Sequence, residues 1–217
     1  MIKIKGIRSI FIATLLLLNV RLAVADENWL SAGKDLYNSR HQSDERIINS
    51  RTARNLKPLW NVVTSGDVTA TPTIDGKYIY FPDSAGFLYK VARDDGAIVW
   101  KLPISTYTGI VGDYARATPA VAGNALILGN SSGHFLGPGF GTPAPQPAQV
   151  FAVDKRTGEK LWSTQVDPTA LSFVTHSALV AEGLAIVGVA SNEELVAGFV
   201  PKRNWQWNSA AASWLST

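Results

Sequence analysis

The chain contains no cysteine among its 217 residues. That excludes a cysteine nucleophile, cysteine-based metal sites, covalent c-type haem attachment and a lipidated N-terminal cysteine. It also excludes disulfides, which export would otherwise permit. His41, His134 and His176 share no metal-ligand spacing and read as structural residues. Apart from the extreme N-terminus, no Lys/Arg run with interleaved aromatics occurs, so nothing argues for nucleic acid. The apolar run Ile10–Val20 is too short to cross a bilayer, and Arg21 interrupts its end.

That run belongs to a secretory signal. Lys3, Lys5 and Arg8 form a basic start, and Ala23, Val24 and Ala25 fit a small-residue cleavage site. Residues 1–25 are therefore expected to be removed before Asp26, giving a periplasmic or secreted chain. The signal carries four of the 20 basic residues and no acid, leaving 16 basic against 17 acidic, a net charge of −1. The basic character of the whole sequence thus belongs mostly to the signal.

What is present is a repeat. Leu88–Trp100 and Val150–Trp162 each read as an alternating strand, a turn closing on glycine, and a second strand reaching tryptophan. Gly96 and Gly158 stand where a tight hairpin needs positive φ. Upstream lie Ala70–Tyr80 and Ala117–Ile127, again strand, glycine turn, strand, and Ser177–Val187 begins a third copy. One unit is four short strands ending in tryptophan. Trp60 and Trp100 stand 40 residues apart; Trp100 and Trp162 stand 62 apart, with the excess in loops. This is the pattern of a propeller blade. The predicted fold is all-β, a partial β-propeller of about two and a half blades. An antiparallel sandwich with chance similarity between hairpins is the competing reading.

Residues 26–203 form the propeller part. Asp26–Arg54 reads as a polar lead, partly helical around Ile47–Arg54, and Leu56–Val63 as an outermost strand. Blades follow at about Val68–Ile104 and Thr118–Val166, and a third starts near Thr175. The link Ser105–Arg116 is predicted to lie over one end of the disc. Gly133–Pro147 is too rich in Gly and Pro for a strand. Asn130 opens a glycosylation sequon that carries no information here.

With these residues placed, the chain resembles the pyrroloquinoline quinone (PQQ) dependent alcohol dehydrogenases, in particular the polyvinyl-alcohol-dehydrogenase type. The likeness rests on Ala70–Trp100, Ala115–Val121, Val150–Trp162 and Val187–Glu194. It implies a propeller of about eight blades that binds PQQ and calcium on its axis. Such an enzyme oxidises a primary, secondary or polymeric alcohol by hydride transfer to the quinone and passes electrons to a cytochrome c. By position, the resemblance makes Arg116 the arginine beside the quinone oxygens. Thr175 becomes the threonine on a PQQ carboxylate, Ser191 and Asn192 the small-residue turn, and Glu193, rather than Glu194, the calcium ligand. The bland readings are a loop arginine pairing with Asp113, a solvent-facing strand threonine and a solvated acidic turn.

The chain also departs from that family. Ile110 and Val111 stand where many members carry a vicinal cysteine pair, and Thr69 replaces a glutamate. The catalytic aspartate and the ring-flooring tryptophan belong to later blades, so no catalytic residue is assigned here. The tail 204–217 lacks the expected next strand pair. A codon string for it, read in another frame, resembles Gln149–Asp154, so a frameshifted or prematurely ended copy of a longer protein is expected. Two and a half blades would leave two apolar faces open, and poor solubility is predicted. The alternatives are a non-catalytic binding or assembly propeller, and an inactive truncated product.

Overall fold

The computed structural model describes residues 28–131, 146–193, 197–198 and, as backbone, 212–216. The predicted signal, the Gly/Pro loop with His134, Glu194 and most of the tail lie outside the described residues.

Strands β1 (Thr73–Asp75), β2 (Tyr78–Pro82), β3 (Phe87–Ala92) and β4 (Ile98–Pro103) form one antiparallel sheet in sequence order. Strands β5 (Ala120–Ala122), β6 (Ala125–Gly129), β7 (Gln149–Asp154) and β8 (Lys160–Gln165) repeat it. The repetition extends to irregularities. The register shifts between Lys90 and Val91 in the first sheet and between Ala152 and Val153 in the second. These are equivalent positions, one residue deep in the hairpin that closes on Gly96 or Gly158.

A two-stranded ladder, β9 (Ser172–Phe173) with β12 (Ala190–Ser191), flanks a third sheet. That sheet holds β10 (Leu179–Ala181), β11 (Leu184–Gly188) and β13 (Ala212–Ser216) in the order β10-β11-β13. The tail thus supplies a strand antiparallel to β11.

The sheets stack face to face, and the period of two decides which neighbour each side chain meets. In β6, Leu126 and Leu128 join the first sheet's Tyr80 and Leu88, whereas Ile127 joins the third sheet's Ala185 and Val187. In β7, Phe151 and Val153 go one way, Val150 and Ala152 the other. Both faces of the middle strands are therefore covered. Leu88, Tyr89 and Val91 are all fully buried. The expectation of one inward face per strand holds only for the outer strands β4 and β8, which reach solvent.

The tryptophans pin one sheet to the hairpin of the next. A side-chain carbon at Gly96 would lie 2.7 Å from the Trp60 ring, and one at Gly158 3.3 Å from the Trp100 ring. Both glycines have positive φ, 75° and 79°. Glycine is required there twice, for backbone conformation and for space. Trp60 Nε1 donates to the Arg93 carbonyl at 2.8 Å. Its segment, Leu56–Val63, is nevertheless not a strand: it has no ladder partner among the described residues. The helical expectation near Arg54 reduces to one 3-10 turn, Ala53–Asn55.

The link after β4 does not merely cap the disc. It forms a single helical turn, α1 (Ser105–Thr108), that inserts Tyr107 between the first two sheets. Tyr107 stacks on Phe151, and its hydroxyl donates to the Gly158 carbonyl at 2.9 Å. At the other end of the sheets, the segment before the first blade lies against the inner strands. Trp29 bridges Ile74, and Val121 N–H donates to the Leu30 carbonyl.

Candidate functional site

In each of the first two sheets the residue just after the second strand is buried and polar and fixes the loop leading into that sheet. In the first sheet this is Asp83. Its carboxylate accepts from the Ser65, Gly66 and Phe87 N–H groups and from the Tyr89 hydroxyl at 2.7 Å. In the second sheet the equivalent residue is Asn130, which accepts from Gln149 N–H at 2.7 Å as Asp83 accepts from Phe87. Asn130 Nδ2 donates to Asp113 in the leading loop at 2.9 Å. Asp113 is buried, and its other carboxylate oxygen accepts from Tyr114 N–H. The loop thus fixed carries Arg116 just before β5.

Arg116 is exposed at the mouth of a small recess lined by Tyr114, Arg116, Ser131, Phe173 and Asn192. Of the residues chosen from sequence, the structure brings Arg116 and Asn192 to one cavity. Thr175 is half-buried and follows Val174, whose carbonyl accepts a long bond from the Ser131 hydroxyl at 3.5 Å. Ser191 lies in β12, and its hydroxyl accepts from Glu193 N–H at 3.1 Å. Asn192 N–H donates to the Leu171 carbonyl, which ties this turn to the loop before β9. Glu193 is only 2% exposed, unlike a solvated acidic turn. Burial pushes the Tyr114 hydroxyl above its ordinary value, while the Arg116 charge nearby pulls it down.

Tyr114, Ser131 and Phe173 were not singled out from the sequence. A signal existed for Ser131. It follows Asn130 as Ser84 follows Asp83, so the repeat places it at the same corner of the second blade.

The donor set is a cation, two hydroxyls, an amide and an aromatic ring. It fits a planar, oxygen-rich anion such as PQQ, since guanidinium pairs with oxygens in a plane. Thr175, Ser191 and Glu193 do not line the recess, and no group of three or more His, Asp or Glu among the described residues is placed to hold a metal ion. The buried Glu193 is a single hard oxygen donor of the kind calcium takes. The recess measures about 40 Å³. That is far below the roughly 300 Å³ at which cofactor pockets begin, so the recess by itself does not enclose a group of that size.

The PQQ-repeat family model described as outer membrane protein assembly factor BamB matches residues 48–213. The chain belongs to this PQQ-repeat family. Among curated proteins it is 29% identical over 195 residues to methanol dehydrogenase [cytochrome c] subunit 1 of Methylorubrum extorquens. That match covers 83% of this chain and 29% of the relative. The corresponding subunit of Methylobacterium organophilum is 28% identical over the same span. The chain thus spans less than a third of the curated relatives it matches.

Solved structures agree on the fold. The quinohemoprotein alcohol dehydrogenase of Comamonas testosteroni superposes with a TM-score of 0.59 at 19% identity, over 79% of this chain and 24% of that one. A europium-containing methanol dehydrogenase gives 0.58 at 20%, over 76% and 28%. The family resemblance drawn from the repeat, and the partial propeller, are borne out. No helix among the described residues is long and apolar enough to cross a membrane.

Proposed function

We propose that this PQQ-repeat chain is the N-terminal part of a periplasmic, PQQ- and calcium-dependent alcohol dehydrogenase of the polyvinyl-alcohol type. The observation that carries the reading is the shared recess of Arg116 and Asn192, residues 76 positions apart that come from two different blades. Similarity to methanol dehydrogenase subunits supports the chemistry and a cytochrome c as electron acceptor.

A bound PQQ would supply two-electron oxidation of the alcohol, and a bound calcium ion would supply Lewis-acid polarisation. The chain's own residues bind and orient. Arg116 would hold the quinone through its guanidinium N–H donors, and its positive charge would favour the reduced ring. The Thr175 hydroxyl donates to a carboxylate of the cofactor. Ser191 and Asn192 fix the turn that presents Glu193, and Glu193 contributes carboxylate oxygens to the cation. No proton-transfer base is assigned to this chain.

The test is dye reduction with primary, secondary and polymeric alcohols by the full-length protein at saturating PQQ and calcium. Activity that needs both, and that falls about a hundredfold in Arg116→Gln, supports the reading. A full-length protein that reduces no dye with any alcohol overturns it. The assembly-factor description of the matching family model favours a second reading, a binding propeller without redox chemistry. That reading predicts no uptake of PQQ at all.

A further inference from the structure

We propose that Gly129, Asn130 and Ser131 form a positioning hub that sets the Arg116 loop and the Thr175 loop as one unit. The inference rests on the reading above that both loops face the quinone.

Four observations carry it. Asn130 is fully buried and uses both ends of its amide: Nδ2 donates to Asp113 at 2.9 Å, and Oδ1 accepts from Gln149 N–H at 2.7 Å. Its carbonyl accepts from Val174 N–H at 2.9 Å, one residue before Thr175. Ser131 N–H donates to the Tyr114 carbonyl at 2.8 Å, two residues before Arg116. A side-chain carbon at Gly129 would lie 2.2 Å from Val174 Cβ, so only glycine lets that buried valine close onto the strand end. Three consecutive residues thus hold the leading loops of two blades. They also bury the sequon asparagine, so the folded chain cannot present it to a glycan.

The residue type follows from the polarity of the loop it meets. In the first blade the leading loop offers N–H donors, from Ser65 and Gly66, and the corner residue is the acceptor Asp83. In the second blade the leading loop offers a carboxylate, Asp113, and the corner residue must donate. Asparagine does so and keeps an oxygen for Gln149. Exchanging the two types across the pair preserves the bonds to each other, to Gln149 and to Tyr114 N–H. Changing Asn130 alone sets two buried carboxylates against each other.

The experiment compares Asn130→Asp, Asp113→Asn and the double variant in the full-length protein, by amide hydrogen exchange and by PQQ binding followed through quinone fluorescence. Asn130→Asp should speed exchange about tenfold or more in residues 113–116 and 174–175 together, and weaken PQQ binding by a similar factor. The β3 amides should keep their rates. The double variant should return both readouts to within about threefold of the parent chain. Faster exchange confined to residues 113–116, or a double variant no better than Asn130→Asp, overturns the hub. A full-length parent protein that takes up no PQQ overturns the quinone reading and with it the positioning role. Coupled exchange of the two loops would then still show that one corner holds them.

Discussion

Replacing Gly158 by alanine tests the stacking of the blades directly. Two costs arise at that position. The backbone sits at φ 79°, a region an L side chain enters at about 1–2 kcal/mol. The added carbon would also lie 2.4 Å from Leu102 Cδ1 and 3.3 Å from the Trp100 ring. Overpacking of that kind costs about 1–3 kcal/mol, because the Leu102 side chain must move and the indole must give by a few tenths of an ångström. The expected loss is about 2–5 kcal/mol, a large share of the roughly 5–15 kcal/mol typical of a domain. Gly123 supplies the control. It has φ 57° and nothing within 4 Å of the same added carbon, so Gly123→Ala should cost only the backbone part. Urea unfolding followed by tryptophan fluorescence measures both. Equal shifts in midpoint for the two variants would refute docking of Trp100 on the Gly158 hairpin.

Other outcomes follow from the same packing. Asp83→Asn replaces an acceptor that serves three N–H groups and the Tyr89 hydroxyl. It should cost about 2 kcal/mol in urea unfolding, and a loss below about 0.5 kcal/mol would contradict the role given to that corner. Burial pushes the Tyr80 and Tyr107 hydroxyls well above their ordinary value of 10.0. The folded chain then keeps protons that the unfolded chain releases, so stability should be flat below about pH 9 and fall as pH rises past about 10. Urea midpoints against pH check this; a rise in stability above that pH would reverse the sign. Tyr107→Phe should lose about 1 kcal/mol with the bond to the Gly158 carbonyl, and flatten part of that alkaline decline.

The repeat was legible because it is local. Gly96 and Gly158 announce hairpins through their φ, and a tryptophan four residues later announces the edge of a blade. Strand pairs such as β1–β2 and β5–β6 are joined by short turns, so sequence neighbours are also spatial neighbours. Leu56–Val63 was misread as a strand for the converse reason. Its composition suits a ladder, but pairing needs a partner, and only the fold shows whether one lies beside it. Lys90 is a second case. Its charge marks a solvent face in the alternating pattern, yet it is nearly buried, over the Tyr78 ring at 3.9 Å.

By itself the sequence determined the blade as a unit and its order of strands, since each depends on bonds between residues close in the chain. Only the tertiary structure decided that Arg116 and Asn192 share a recess and that Asn130 must be a donor facing Asp113. The first relation arises where separate blades stack, the second where a leading loop folds back on its own blade. No period along one strand encodes which polar group a loop or a neighbouring blade will present.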